Sequence, residues 1–125
     1  FIKEMNKKNI KIKKFKILIM GLSFKENCAD LRNSGVKKVI EKLKNQKCNL
    51  DLYDPWVDTV EAKKIYGISI KQKLKKNTYD GIIIAVKHKK FIDMGQKKIF
   101  NLCKTNHVIY DLKHILYKDK VSLRL

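Results

Sequence analysis

The sequence predicts an α/β protein, a Rossmann-like open parallel sheet with helices on both faces in a single domain. Short continuous apolar runs, such as "KILIM" (16–20) and "GIIIAV" (81–86), are typical of parallel strands that are buried on both faces. Segments with apolar residues at helical spacing alternate with these runs, and short loops connect them. Such alternation favours a parallel sheet, and 125 residues can bury one sizeable core.

The first predicted elements are a strand over 16–21 and a helix that follows its loop. In the helix, apolar residues recur at i, i+3, i+4 and i+7, which indicates one face packed on the sheet. These residues are Val36, Val39, Ile40 and Leu43. Asn33 or Ser34 can cap this helix, and Gly35 weakens it if it lies inside.

The middle of the chain predicts a second strand over 48–54, which Pro55 closes. A short helix follows over 58–67, with Gly67 at its C-terminal side. A brief extended piece comes next, and residues 71–78 are polar enough for a short helix or a loop.

The last part of the chain predicts a strand over 80–86, a helix over 95–104 and a strand over 107–112. The segment "VSLRL" at the end suggests an edge strand. We therefore assign residues 15–125 to the domain. Residues 1–14 are expected to be the end of a preceding helix or a linker.

The cysteines and the lengths of the apolar stretches limit the classes of protein to which the chain can belong. Three widely spaced cysteines without a Cys-x-x-Cys pair argue against a zinc site or a disulfide framework, so we expect no metal and a cytoplasmic protein. The longest apolar stretches are far too short to span a bilayer. We therefore expect no membrane partner.

The net charge of +18 raises nucleic acid as a partner. Of the 30 basic residues, however, only two are arginine, whereas readout of bases and phosphates favours arginine. The lysines are also spread along the whole chain. A basic nucleic-acid-binding α/β module remains the alternative function, and a receiver-like interaction domain is a weaker one, since its acidic cluster is missing.

Ligands of open parallel sheets bind beyond the carboxyl ends of the strands, so the residues just after each strand are the candidates. Lys25 follows the first strand and can reach a diphosphate; the alternative is a solvated surface lysine. Arg32 offers a planar fork beside the helix start, or an ion pair with Asp30 or Glu26.

Other strand-end residues have two interpretations each. Asp54 could bind ribose hydroxyls, but an Asp-Pro turn is favoured. Trp56 is a turn residue or a stacking platform, and His88 is a helix-start histidine or a base. Cys28 invites a nucleophile interpretation, although a half-buried thiol is favoured. This spacing indicates a binding crevice and no catalytic residue.

Four motifs in register resemble the C-terminal UDP-binding domain of the UDP-glucose/UDP-N-acetylhexosamine 6-dehydrogenases. They are "GLSFKENCADLRNSGV", "DLYDPWVD", "YDGIIIAVKHKKF" and "VIYDLKHIL". The resemblance covers about residues 15–117. It implies a full-length homo-oligomer with an N-terminal NAD-binding domain and a central dimerisation domain.

The resemblance also implies a reaction, in which the C6 alcohol of a UDP-sugar is oxidised to a carboxylate for polysaccharide synthesis. NAD and the catalytic cysteine then belong to the other domains, so this chain is not catalytic alone. Carried over by position, Phe24, Lys25 and Lys113 contact the UDP-sugar, and Arg32 reaches NAD. Lys113 is followed by His114 instead of the usual glycine.

Overall fold

Five parallel strands form one sheet in the order β2-β1-β3-β4-β5, with β1 next to the middle. The computed structural model describes residues 15–23, 25, 27–29, 31, 35–113 and 123–124. The elements are β1 (Lys16–Met20), α1 (Val36–Asn45), β2 (Asn49–Tyr53), α2 (Thr59–Tyr66), β3 (Tyr79–Ile84), α3 (Lys89–Met94), α4 (Gln96–Asn101), β4 (Cys103–Asp111) and β5 (Leu123–Arg124).

The predicted two-sided burial is confirmed by β1, whose alternate residues enter two different cores. Ile17 and Ile19 pack with the apolar faces of α1 and α2. Leu18 and Met20 pack on the opposite face with residues of α3 and α4. Because a strand side chain points to alternate faces, only a continuous apolar run can fill both layers.

The predicted strands and the first two helices are confirmed, with shifts at their ends. The predicted helix over 95–104 is present as α4, but it ends at Asn101. The structure adds α3, which the sequence analysis did not predict, and starts β4 four residues earlier, at Cys103. Residues 71–78 form a loop without a helix. The predicted edge strand is present as the two residues of β5, paired with Tyr110 and Asp111. Residues 1–14 lie outside the described part.

Helix α1 begins at Val36, directly after a glycine. Its N-cap position is Gly35, with φ −66° and ψ −16° and no capping hydrogen bond. Asn33 and Ser34 lie outside the described residues. Gly35 therefore sits at the helix boundary and leaves the helix interior to good helix formers.

Replacing Gly35 by Asp should stabilise the chain by about 0.5–1 kcal/mol. The first turn of α1 holds no acidic residue, and a Cβ on Gly35 meets nothing within 4 Å. A negative charge there interacts favourably with the helix dipole, and the loss of glycine reduces the entropy of the unfolded chain. Urea unfolding measures the gain, with Gly35→Asn as the uncharged control. Equal stability of the two variants would contradict the charge effect.

The amino ends of the strands carry a separate polar cluster. The Tyr79 hydroxyl donates to Asp51 at 2.7 Å, and the backbone N–H of Lys16 donates to Asp80 at 2.9 Å. Lys104 pairs with Asp80 at 3.3 Å. These contacts satisfy the buried carboxylates at the edge of the sheet opposite to the strand ends that the sequence analysis singled out.

Candidate functional site

The carboxyl ends of four strands meet at one edge of the sheet. Met20, the last residue of β1, is in register with Tyr53 of β2 and with Ile84 of β3. Ile84 is in turn in register with Asp111, the last residue of β4. Segments after these strands therefore start side by side, and they include the loop after β1, which we call the post-β1 loop (residues 21–29).

Gly21 starts this loop in a conformation and a space that only glycine fits. Its φ is +99°, and a Cβ there would lie 2.6 Å from the Cβ of Val86. Its N–H donates to the carbonyl of Tyr53 at 2.9 Å. Gly21 therefore lies between the end of β2 and the segment after β3. This position fixes the direction in which the post-β1 loop leaves β1.

Asp54, the residue after β2, holds the first part of the post-β1 loop. Its Oδ2 accepts hydrogen bonds from the N–H of Leu22 at 2.7 Å and from the N–H of Ser23 at 3.2 Å. Its Oδ1 accepts from the N–H of Trp56 at 2.8 Å. The side chain is fully buried, so one carboxylate ties the loop to the turn after β2.

The ionised form of Asp54 is favoured despite its burial. Burial by itself raises the pKa of the carboxyl. The hydrogen bonds from His88 and from the N–H groups of Leu22 and Trp56 outweigh burial and hold the pKa below the ordinary value of 3.8. Asp54 is a carboxylate at neutral pH.

His88 holds the later part of the loop. Its Nδ1 accepts a hydrogen bond from the N–H of Asn27 at 2.8 Å, and its Nε2 lies 2.9 Å from Oδ2 of Asp54. A nitrogen that accepts from an N–H carries no proton, so the proton is assigned to Nε2, which donates to Asp54. The ring is 0% exposed and packs edge-on against Phe91 with centroids 5.2 Å apart.

Asn27 adds a second link between the same two segments. Its backbone is left-handed, with φ 55°, a conformation that asparagine tolerates better than most residues. Its Oδ1 accepts from the N–H of Lys89, the first residue of α3, at 2.9 Å. The post-β1 loop is thus fastened at Leu22 and Ser23 on one side and at Asn27 on the other.

Two of the predicted site residues, Lys25 and Lys113, lie in the described part of the structure, and the other two do not. Lys25 lies between the two fastening points; it is exposed, and its carbonyl accepts from the Ser23 hydroxyl at 3.0 Å. Lys113 is also exposed, two residues past β4, where its N–H donates to Asp111 at 3.2 Å. The structure places both lysines at one edge of the sheet, two strands apart. Phe24 and Arg32 lie outside the described residues.

Sequence reasoning missed the joint role of Asp54 and His88. The favoured Asp-Pro turn was correct, since Asp54 accepts from Trp56, and His88 does stand at a helix start as the N-cap of α3. Their contact with each other and with the post-β1 loop was not predicted. The available signal was that both polar residues closely follow strands flanking β1.

The described residues do not fit a bound dinucleotide. The Asp54 carboxylate is occupied by protein donors, so it does not receive ribose hydroxyls. The close approach at Gly21 is to Val86, which leaves no open cradle for a pyrophosphate. Neither Asp54 nor Gly21 therefore has the role that it would have in a dinucleotide site.

Two of the described cysteines have thiols that burial keeps from ionising. Burial raises the pKa of the Cys103 thiol to about 12 and also raises the pKa of Cys48, so these thiols are protonated at neutral pH. Cys28 is half-buried. The described residues contain no cluster of His, Cys, Asp or Glu that could hold a metal, and no described helix could cross a membrane.

Comparisons with known proteins agree with this geometry. Residues 18–118 match the model of the UDP-glucose/GDP-mannose dehydrogenase family, UDP binding domain. The chain is 42% identical over 99% of its length to a UDP-N-acetyl-D-glucosamine 6-dehydrogenase from Salmonella typhi. It is 44% identical, again over 99% of its length, to a protein of the same name from Pseudomonas aeruginosa. It spans 29% of the length of each of these relatives.

A solved structure supports the fold. A UDP-D-ManNAc dehydrogenase from Pyrococcus horikoshii aligns with a TM-score of 0.77 at 24% identity, over 98% of this chain and 28% of that one. The nucleic-acid alternative has no support from these comparisons. The family match covers both the post-β1 loop and Lys113. The chain belongs to the UDP-glucose/GDP-mannose dehydrogenase family and carries its UDP-binding domain.

Proposed function

We propose that this chain binds the UDP part of a UDP-N-acetylhexosamine within an NAD-dependent UDP-sugar 6-dehydrogenase. The observation that carries the proposal is Lys25, an exposed lysine between two fastened points of the post-β1 loop, at the sheet edge where ligands of this architecture bind. The enzyme would oxidise the C6 alcohol to a carboxylate. The names of the two bacterial relatives support the sugar class.

Lys25 is proposed to pair with the diphosphate. An ammonium group binds phosphate as a compact charge. Lys113 adds a second positive charge from the end of β4, and Phe24 contributes its backbone. Asp54 and His88 stay inside the protein and contribute no reacting group, because their polar atoms already face protein partners.

The remaining parts of the reaction are proposed to come from other domains. The chain spans 29% of the length of its relatives, and neither Gly21 nor Asp54 fits a dinucleotide site. NAD and the catalytic cysteine would then be supplied by N-terminal and central domains, with Arg32 reaching NAD across the cleft. We propose a cytoplasmic homo-oligomer that makes precursors of polysaccharides.

Replacing Lys25 by Ala should weaken UDP binding about 5- to 30-fold. Loss of one charged contact to phosphate costs about 1–2 kcal/mol at an exposed site. Isothermal titration calorimetry of the chain with UDP and with UDP-N-acetylglucosamine measures the effect. Lys75→Ala is the matched control, because it removes the same charge from an exposed residue near the amino ends of the strands.

Equal losses in the two variants would contradict the proposal, since they would mean that UDP responds only to the +18 net charge. The same experiment at several salt concentrations with a short oligonucleotide tests the nucleic-acid alternative. Oligonucleotide binding that is tighter than UDP binding and falls steeply with salt would favour that alternative.

A further inference from the structure

We propose that His88 is a positioning residue for the UDP site, which sets UDP affinity by holding Asn27 without touching the ligand. The inference rests on the proposed function, because it assumes that the post-β1 loop binds UDP. It assigns a separate task to each nitrogen of the ring. Nδ1 fixes the later part of the loop at Asn27, and Nε2 fixes the ring on Asp54 and lies 3.2 Å from the hydroxyl of Ser23 in the first part of the loop.

The position of Lys25 depends on the hydrogen bonds that hold the post-β1 loop before and after this residue. Leu22 and Ser23 are bound to Asp54 before it, and Asn27 is bound to His88 after it. Without the His88 contact, the loop after Lys25 would be held only by the exposed hydrogen bond from the Lys89 N–H to the Asn27 side chain. The Lys25 ammonium group would then sample many positions, and UDP binding would have to bear the cost of ordering the loop.

The left-handed backbone of Asn27 is stabilised by contacts with other segments. Asparagine tolerates a positive φ of 55° better than most residues, and such a conformation persists where surrounding contacts hold it. Two contacts do so here, from the Asn27 N–H to His88 and from the Lys89 N–H to the Asn27 side chain. The His88 contact is the more buried of the two, because that ring is 0% exposed, whereas the Lys89 contact lies at the surface.

Two substitutions separate the tasks of the ring nitrogens. In His88→Asn the side-chain oxygen can take the place of Nδ1 and accept from Asn27, but the side chain is too short to reach Asp54. In His88→Gln the amide can take the place of Nε2 and donate to Asp54, while the acceptor for Asn27 is lost. Both variants lose a similar part of the packing against Phe91.

UDP affinity should therefore fall about 10-fold in His88→Gln and less than 3-fold in His88→Asn. Calorimetry with UDP gives the affinities, and circular dichroism checks that each variant is folded. Hydrogen exchange of the Asn27 amide, measured by NMR without ligand, should lose protection in His88→Gln and keep most of it in His88→Asn. Trp56, the one tryptophan of the chain, lies 6.4 Å from His88 between ring centroids and reports local changes by fluorescence.

Folded variants with equal UDP affinities and equal Asn27 protection would overturn the proposal, because His88 would then be only a packing residue. Failure of the wild-type chain to bind UDP would contradict the proposed function instead. In that case the Asn27 exchange rates still decide whether Nδ1 holds the loop. The two failures are thus distinguishable.

Discussion

Replacing Gly21 by Ala is expected to destabilise the chain by roughly 2–6 kcal/mol. Part of the loss is backbone strain, because a φ of +99° is a conformation that L side chains rarely adopt and such strain costs about 1–3 kcal/mol. The other part is overpacking, since the new Cβ would lie 2.6 Å from the Cβ of Val86, and this costs about 1–3 kcal/mol. A loss of this size is a large share of a typical domain's stability.

Alanine substitutions at two other glycines separate the cost of backbone strain from the cost of overpacking. Gly95 has a φ of +83° but open space around its Cβ position, and Gly35 has neither strain nor a close neighbour. Urea unfolding should therefore rank the alanine variants, with Gly35→Ala within about 1 kcal/mol of wild type, Gly95→Ala destabilised by about 1–3 kcal/mol, and Gly21→Ala most destabilised. Equal losses at Gly21 and Gly95 would contradict the close approach to Val86.

Replacing Asp54 by Asn is expected to destabilise the chain by about 2–4 kcal/mol at neutral pH. The carboxylate accepts four hydrogen bonds through its two oxygens. An amide offers one oxygen, so its NH₂ must face a donor on one side. At least one buried N–H then loses its acceptor, and the charge-assisted bond from His88 is weakened.

The same substitution should remove part of the acid sensitivity of the chain. The folded-state pKa of Asp54 lies below its ordinary value of 3.8. Stabilisation by this group is therefore present above pH 3.8 and is lost as the pH falls through the folded-state pKa. The difference in unfolding free energy between wild type and Asp54→Asn should shrink between pH 6 and pH 3.

Asp58→Asn is the matched control, because it removes the same charge from an exposed N-cap residue and keeps a good capping side chain. Its cost should be a few tenths of a kcal/mol. A gap between wild type and Asp54→Asn that stays constant with pH would contradict the role of the carboxylate charge.

The fold was largely predictable because its strongest signals are local. Parallel strands buried on both faces need continuous apolar runs, and the runs at β1 and β3 stand out against a lysine-rich background. Helix α3 was missed because its six residues contain no apolar residues at i, i+3 and i+4, the spacing that predicted α4. The early start of β4 was missed because Lys104, Thr105 and Asn106 are polar and exposed.

The candidate site was predictable only in part, since its key contacts join distant segments. Lys25 was predicted as a site residue because it follows the first strand. The contact between Asp54 and His88 was not, because these residues are 34 positions apart and meet only where β2 and β3 flank β1. Strand order is a long-range property that no local pattern specifies. The contacts of Asn27 with His88 and Lys89 depend on the same order.

The central claim is that the fastened post-β1 loop is the UDP site, and an NMR titration of the ¹⁵N-labelled chain with UDP tests it most directly. We predict saturable shifts of the amides of Leu22, Ser23, Lys25 and Asn27, with smaller ones at Lys113. The residues at the opposite edge, Lys16 and Lys75, should stay unchanged. Saturable shifts at that opposite edge, or saturation without movement in the post-β1 loop, would contradict the account.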